Sequence, residues 1–183
     1  MTTQLLIRLL RYILAVRSVR FSNDRNGKRQ LPRFRIDSDY YQFHIRDGYT
    51  QNGALGEAWT AEALKIDVAV AAGIIGVGTV RNTSVAVSVE VLASPPDVKD
   101  LDSWDRVIDA SIAIPSGNLE LTSPTWEDRE TVAVAPGNYR IRIHSGNIVA
   151  AQQPGSRLRE RYKVLIWPGD MQPVAVIKNL EQS

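Results

Sequence analysis

The stretch from residue 131 to residue 144 constrains the fold of this chain more than any other part of the sequence. Apolar residues alternate there with smaller or polar ones on both sides of Pro136-Gly137-Asn138, and the apolar set is Val132, Val134, Tyr139, Ile141 and Ile143. The residues that alternate with the second half of this set are Arg140, Arg142 and His144. A period of two predicts strands with one buried and one solvated face. Because Pro and Gly suit a tight turn, we expect a hairpin that a second sheet must cover.

The same alternation recurs in short runs along the rest of the chain. Strands are predicted at residues 41–46, 69–80, 84–92, 107–114, 119–122, 162–167 and 174–177, in addition to the hairpin. Thr60 is a typical helix N-cap and predicts a short helix near residues 60–64. About nine short strands with few helices predict an all-β, single-domain antiparallel β-sandwich. A chain of 183 residues is long enough to bury such a core without disulfides.

The first 35 residues differ in composition from the rest, since they contain nine Lys or Arg and a single Asp. Within them, residues 4–19 form a basic and apolar helix candidate. Arg8 and Arg11 interrupt its apolar run, which argues against a secretory signal sequence. We interpret residues 1–35 as a basic N-terminal helical extension and residues 36–183 as the sandwich domain. Contact of residues 4–19 with a membrane or nucleic acid is a less favoured alternative.

The charge of the chain is strongly uneven along its length. Residues 36–130 contain six basic and sixteen acidic side chains, a net charge of −10, whereas residues 131–183 carry seven basic and three acidic ones, a net charge of +4. Such asymmetry concerns partners and solubility rather than the fold. The middle of the chain therefore predicts a negative surface, which does not favour direct binding of nucleic acid by this domain.

No set of residues in the sequence has the spacing of an active site. The chain has no cysteine and only two histidines, and no nucleophile elbow is present. Residues 73–78 are rich in glycine but fit neither the dinucleotide nor the Walker spacing, so they are interpreted as part of a strand. We therefore predict a protein that is not an enzyme and needs no cofactor. The absence of cysteine suits a reducing compartment, and we expect a cytoplasmic location.

Two metal sites are conceivable from the sequence, and each has a simpler interpretation. His44 and His144 could bind a metal together with Asp37 or Asp39, but both histidines alternate with apolar residues and are expected on solvated strand faces. The acid-rich segment 97–105 could bind calcium, although it lacks the glycine and the terminal Glu of an EF-hand. A solvated loop is the simpler interpretation of this segment, and no metal site is predicted.

A protein-contact surface is the third interpretation of the acid-rich segment, because an aromatic residue inside a carboxylate cluster can anchor a partner. A second aromatic and acidic group lies earlier in the chain. The candidate partner-binding residues are Asp97, Asp100, Asp102, Trp104 and Asp105, together with Trp59 and Glu62. A different class of function, a carbohydrate- or membrane-associated sandwich module, would use Trp59, Trp104 or Trp126 to contact its ligand.

Several short segments, in matching order, resemble the competence protein J family. They are Tyr40-Tyr-Gln-Phe43, Trp59-Thr-Ala-Glu-Ala63, Ala72-Gly-Ile74, Arg81-Asn-Thr83, the run from Ile114 to Ser123, and Val134-Ala-Pro-Gly-Asn-Tyr139. The resemblance extends from about residue 39 to residue 167 and does not include the basic extension. It implies a small inhibitor of the nuclease that competent bacteria use in DNA entry.

The resemblance and the charge together suggest a function. We expect a non-enzymatic binding protein that resembles a nuclease inhibitor or an immunity protein and that occludes a cationic nuclease surface with an acidic face. The expected partner is a protein, such as a nuclease or a toxin. No inhibitory residues are transferred from the family to this sequence.

Overall fold

A computed structural model describes residues 32–51, 55–125 and 129–180 of this chain. Nearly half of these residues lie in strands, and the strands form two sheets that pack face to face. The predicted β-sandwich is therefore confirmed. The predicted N-terminal helix at residues 4–19 lies outside the described residues, as does Trp126.

The described residues contain eleven strands and two short α-helices. The strands are β1 (Arg33–Ile36), β2 (Gln42–Asp47), β3 (Val68–Ala71), β4 (Ile74–Gly78), β5 (Val85–Val91), β6 (Arg106–Ile114), β7 (Asn118–Thr122), β8 (Arg129–Ala133), β9 (Gly137–Gly146), β10 (Arg161–Pro168) and β11 (Ala175–Lys178). The helices are α1 (Ala61–Ile66) and α2 (Ile148–Gln152). The structure has two strands more than the nine predicted. β1 was not predicted, and the predicted strand at residues 69–80 is divided into β3 and β4 at Gly73. None of the helices in the described part of the chain could cross a membrane.

One sheet contains six strands in the order β1-β5-β10-β9-β6-β11, and the other contains five in the order β3-β4-β2-β7-β8. The strand β1 includes Arg33, Phe34 and Arg35, which the charge pattern had assigned to the extension. Among the paired strands in the described residues, only β5 and β10 run parallel, with Val89 opposite Val164. The sandwich is thus antiparallel apart from this pair. The chain between β5 and β10 contains the strands β6 to β9.

The apolar core lies between the two sheets. Phe43 and Ile45 of β2 face it from one sheet, and Ile141 and Ile143 of β9 face it from the other, all with no exposed surface. The ring of Phe43 packs edge to face on Tyr162, with 5.1 Å between the ring centroids. The period-two pattern therefore predicted correctly which side chains of these strands point inward.

The predicted hairpin at residues 131–144 is wrong, although both of its strands exist. β8 pairs with β7 in the five-stranded sheet, whereas β9 lies between β6 and β10 in the other sheet. Gly137 does not have the positive φ that the predicted turn required. The chain instead crosses from one sheet to the other, and the Tyr139 hydroxyl donates to the carbonyl of Ala135 at 2.6 Å. This arrangement is like the tyrosine corner of immunoglobulin-type sandwiches.

The outer side of β9 is buried rather than solvated, which corrects a second expectation. Arg140, Arg142 and His144 are each about 6% exposed. Arg142 forms a bidentate pair with Asp109 of β6, with N–O distances of 2.7 and 2.9 Å. Arg140 donates to the Ser111 hydroxyl at 2.7 Å and to the carbonyl of Gln172 at 3.1 Å. The polar residues of β9 are therefore structural, because other segments of the chain cover this face.

The glycine-rich stretch at residues 73–78 forms the strand β4 and the end of the turn before it, as interpreted from the sequence. Gly73 has a φ of 71° in the turn between β3 and β4. Gly76 lies under Trp59, and a β-carbon at Gly76 would approach the Trp59 ring to 2.8 Å. These glycines permit a tight turn and a close approach of an indole.

Candidate partner-binding surfaces

The acid-rich segment belongs to a loop, residues 93–105, that connects β5 to β6 and that we call the acidic loop. It lies over the outer face of the six-stranded sheet and is held from below by two cations. Arg142 donates to the carbonyl of Pro96 at 3.4 Å, and Lys178 donates to the carbonyl of Leu101 at 3.0 Å. The loop is thus fixed to the sheet through its backbone, which leaves its acidic side chains available at the surface.

Trp104 attaches the end of the acidic loop to β9 and β10. Its ring is half-buried, with the Arg161 guanidinium carbon 4.2 Å from a ring centroid and the His144 ring 5.1 Å away. Arg161 also donates to the carbonyl of Ser103 at 2.7 Å. A cation over an indole is a favourable contact. Trp104 therefore stabilises the loop, and one side of its ring is already occupied by a side chain of the same protein.

The four aspartates of the acidic loop have different roles. Asp97, Asp100 and Asp102 are exposed, and Asp97 forms a surface ion pair with Lys99 at 2.5 Å. Asp105 instead accepts a hydrogen bond at 2.6 Å from the backbone amide of Ile148, the first residue of α2. Three of the predicted carboxylates are therefore exposed at the surface, whereas Asp105 has a structural role.

A cavity of about 430 Å³ lies between the acidic loop and the sheet. Trp104, His144 and Asp100 line it, together with Glu90 and Lys163, which pair at 3.4 Å. Its charges of opposite sign are largely paired with one another. The cavity therefore provides no strongly charged pocket of its own, and the acidic character of this face comes from the exposed loop aspartates.

Trp59 and Glu62 lie on the opposite side of the sandwich, on the outer face of the five-stranded sheet. Trp59 is half-buried above Gly76, and its indole N–H donates to Gln42 Oε1 at 2.9 Å. Thr60 caps α1 by accepting from the amide of Ala63 at 3.2 Å, which confirms the predicted cap. Glu62 is exposed in the first turn, where hydrogen bonds from its own backbone amide and from Thr60 lower the pKa of its carboxyl. The predicted residues thus form two separate groups.

Trp59 and Trp104 are both half-buried, and other side chains of the protein already contact their rings. Trp59 is held by Gln42 and packs on the backbone at Gly76, and Trp104 is held by Arg161 and His144. The carbohydrate-module alternative therefore gains no support from these two residues, and its third tryptophan lies outside the described residues.

The two histidines are buried, contrary to the expectation that they are solvent-exposed. His44 is 7% and His144 is 6% exposed, and they lie on the outer faces of different sheets. A metal site that joins them is therefore excluded by the topology. Among residues 32–51, 55–125 and 129–180, no three metal-ligating side chains lie close enough together to hold an ion. The calcium interpretation of the acidic loop has no geometric support.

Burial lowers the pKa of both histidines to about 4, since the charged ring loses its hydration. The neighbouring Arg46 adds to this effect at His44. The folded-state pKa then lies below the unfolded value of about 6.5, so the unfolded chain binds more protons as the pH falls. We expect each ring to reduce the free energy of unfolding by roughly 1–2 kcal/mol between pH 7.5 and pH 5.

Urea denaturation at several pH values measures this effect. A variant with His44→Gln and His144→Gln should show a flatter pH dependence than the wild type over the same interval. Equal slopes for the two proteins would contradict the assignment of neutral, buried rings.

Comparisons with known proteins identify structural similarity but no family. No family model and no characterised protein sequence matches this chain. The fold is similar to that of ComJ from Bacillus subtilis, an inhibitor of the DNA-degrading activity of NucA, with a TM-score of 0.60, 15% identity, and coverage of 75% of this chain and 96% of ComJ. It is also similar to the product of crocagin biosynthetic gene J, with a TM-score of 0.54, 15% identity, and coverage of 77% of this chain and 98% of that protein. At this identity the similarity is one of fold.

Proposed function

We propose that this protein binds and inhibits a DNA-degrading nuclease, and that it acts as an inhibitor or immunity protein without catalytic activity of its own. The observation that supports this proposal most is the fold shared with ComJ, which extends over 96% of the ComJ chain. The function itself depends on surface residues, which a shared fold does not specify.

Electrostatics supports the acidic loop as the part that meets the nuclease. A nuclease must present cationic groups to DNA phosphates. The exposed carboxylates of Asp97, Asp100 and Asp102 can compete for those groups and accelerate the encounter. Asp97 is partly neutralised by Lys99, so Asp100 and Asp102 are the stronger contributors.

The loop is also ordered before any partner arrives. Its backbone is held by Arg142, Lys178 and Arg161, and Trp104 packs on His144. Binding through a loop that is already fixed loses less conformational entropy than binding through a flexible one. The acidic loop therefore has both the charge and the rigidity that an inhibitory surface requires.

Affinity capture tests the proposal directly. The full chain is immobilised, an extract of the source organism is passed over it, and degradation of double-stranded DNA is assayed in the flow-through and in the bound fraction. Transfer of DNA-degrading activity from the flow-through to the bound fraction supports the proposal. If all of the activity stays in the flow-through, the proposed function is wrong.

Replacing the three exposed loop aspartates with asparagine should slow association with the captured nuclease. The expected change is about tenfold at low salt, with a weaker dependence of the association rate on ionic strength. The matched control replaces Glu57, Glu62 and Glu130 with glutamine, which removes the same number of exposed carboxylates from the five-stranded sheet and the helical segment before it. Stopped-flow binding at several salt concentrations compares the two variants. A slower rate for the control alone would place the contact near Trp59 instead.

A further inference from the structure

The turn that precedes β2 has an unusual backbone for its sequence. Residues 39–42, which we call the tyrosine turn, are closed by a hydrogen bond at 3.1 Å from the Gln42 amide to the Asp39 carbonyl. Its two central residues, Tyr40 and Tyr41, have φ values of 51° and 57°. Positive φ at both central positions defines a type I′ turn, which strongly favours Asn-Gly.

Tyrosine is a poor residue for both positions. Positive φ forces the β-carbon of an L-residue against its own backbone, and bulky side chains adopt it only rarely. Contacts inside the sandwich do not explain the choice, because Tyr40 is 76% and Tyr41 is 60% exposed. An observed backbone outlier of this kind is a reason to look for a function. The tyrosines therefore impose a cost on the free protein without a matching gain in burial.

Three residues from two neighbouring segments hold the turn in place. The amide of Tyr41 donates to the Asn82 side chain at 3.1 Å, and its carbonyl accepts from the amide of Thr79 at 2.8 Å. The Asp39 carboxylate accepts from the Thr125 hydroxyl at 2.7 Å. The two rings are thus displayed from a backbone that is fixed on both sides.

A buried carboxylate supports this platform from beneath. Glu160, which is 3% exposed, accepts from the amides of Val80 and Arg81 at 2.7 and 3.0 Å and from the Tyr162 hydroxyl at 2.6 Å. The segment that contacts the tyrosine turn is therefore itself anchored in the core. A buried and fully hydrogen-bonded carboxylate rigidifies the structure around it.

The tyrosine turn and the end of the acidic loop lie at the same end of the sandwich. Glu160 holds the segment beside the turn, and the next residue, Arg161, holds the acidic loop at Ser103 and Trp104. A partner that covers this end of the sandwich can therefore contact both the tyrosine turn and the end of the acidic loop.

We propose that Tyr40 and Tyr41 are the aromatic anchor by which this protein holds its protein partner, while the acidic loop steers the encounter. This inference rests on the proposed function, since the partner is taken to be the nuclease. Tyrosine supplies a large apolar area at low entropic cost, and its hydroxyl can form hydrogen bonds at the edge of an interface. It is also enriched among the residues that contribute most of the binding energy. The partner surface that fits is an apolar pocket with hydrogen-bonding groups at its edge.

The test replaces the turn by the residues that its backbone prefers, in a variant with Tyr40→Asn and Tyr41→Gly. This variant should melt at a temperature higher by about 2–4 °C, because the backbone cost is removed. Its complex with the nuclease captured from the source organism should dissociate at least tenfold faster, with little change in association rate. Tyr49→Asn is the control, since Tyr49 is 73% exposed beyond the other end of β2 and should leave dissociation unchanged.

Each other outcome overturns the inference. A variant that dissociates as slowly as the wild type would show that the tyrosines are not the anchor. A lower melting temperature would show that they stabilise the fold instead. Loss of single-stranded DNA binding in the variant, if the wild type binds it, would assign the rings to base stacking. If the wild type captures no nuclease, the proposed function fails and this inference fails with it.

Discussion

Replacing Asp109 with alanine is expected to lower the free energy of unfolding by about 3–5 kcal/mol. The Asp109 carboxylate accepts two hydrogen bonds from Arg142 in a bidentate pair, and both side chains are less than 10% exposed. The guanidinium carbon of Arg142 also lies 5.6 Å from the Trp167 ring. Without Asp109, a buried cation would lose its partner and could not recover its hydration. Breaking such a pair is costly even where the intact pair contributes little.

The control for this prediction removes both charges at once, with Asp109→Leu and Arg142→Met. Because no unpaired charge remains, we expect the double variant to be much more stable than the Asp109→Ala protein. Urea denaturation of the wild type, the single variants and the double variant measures the coupling. A loss below about 1 kcal/mol for Asp109→Ala, a value typical of exposed pairs, would contradict the burial of this face.

Replacing Tyr139 with alanine is expected to cost about 3–5 kcal/mol, as for other buried aromatic residues. Tyr139 is 4% exposed, packs in the core, and closes the crossing between β8 and β9 through its hydrogen bond to Ala135. Tyr139→Phe keeps the ring and should cost only about 1 kcal/mol. Both values are obtained from the midpoint and slope of denaturation curves.

The residue after Tyr139 gives the sharper comparison. A solvated strand face would predict a change within roughly 0.5 kcal/mol for Arg140→Ala. Since Arg140 is buried and donates to Ser111 and Gln172, we expect a loss of about 1.5–3 kcal/mol instead. Asn138→Ala, at an exposed position, is the matched control and should remain within about 0.5 kcal/mol. Equal losses of stability for Arg140→Ala and Asn138→Ala would indicate instead that this face of β9 is solvated.

The sequence pattern predicted the inward faces of the strands well, and the reason is physical. The alternation of apolar and polar residues indicates which side chains face the core, as at Phe43, Ile45, Ile141 and Ile143. It does not report whether the other face is solvated. In β9 that face is covered by the acidic loop and by residues 172 and 173, so its polar residues are paired and buried.

Strand partners were less predictable than strand positions. Pro136-Gly137 between two alternating runs is typical of a hairpin, yet the two runs lie in different sheets. The pattern of each strand is the same in both arrangements, since each buries one face. Only the long-range pairing of β9 with β6 and β10 decides between them.

The candidate surfaces were predicted in part. The acidic loop follows from its composition, but the charge of a chain segment is not the charge of a surface. Strands from the acidic and basic segments lie side by side in the six-stranded sheet, so Lys163 pairs with Glu90 and Arg161 covers Trp104. The tyrosine turn was not predicted, because two adjacent tyrosines are the opposite of what a type I′ turn favours.

Inhibition of DNA degradation tests the central proposal most directly. Fluorescently labelled double-stranded DNA is incubated with an extract of the source organism and increasing amounts of the full chain, and gel mobility checks that the chain does not bind the DNA itself. The proposed function predicts a saturable loss of degradation without a mobility shift, abolished when the protein is heat-denatured. Unchanged degradation at about 10 µM protein, well above the dissociation constants of stable protein complexes, would contradict it.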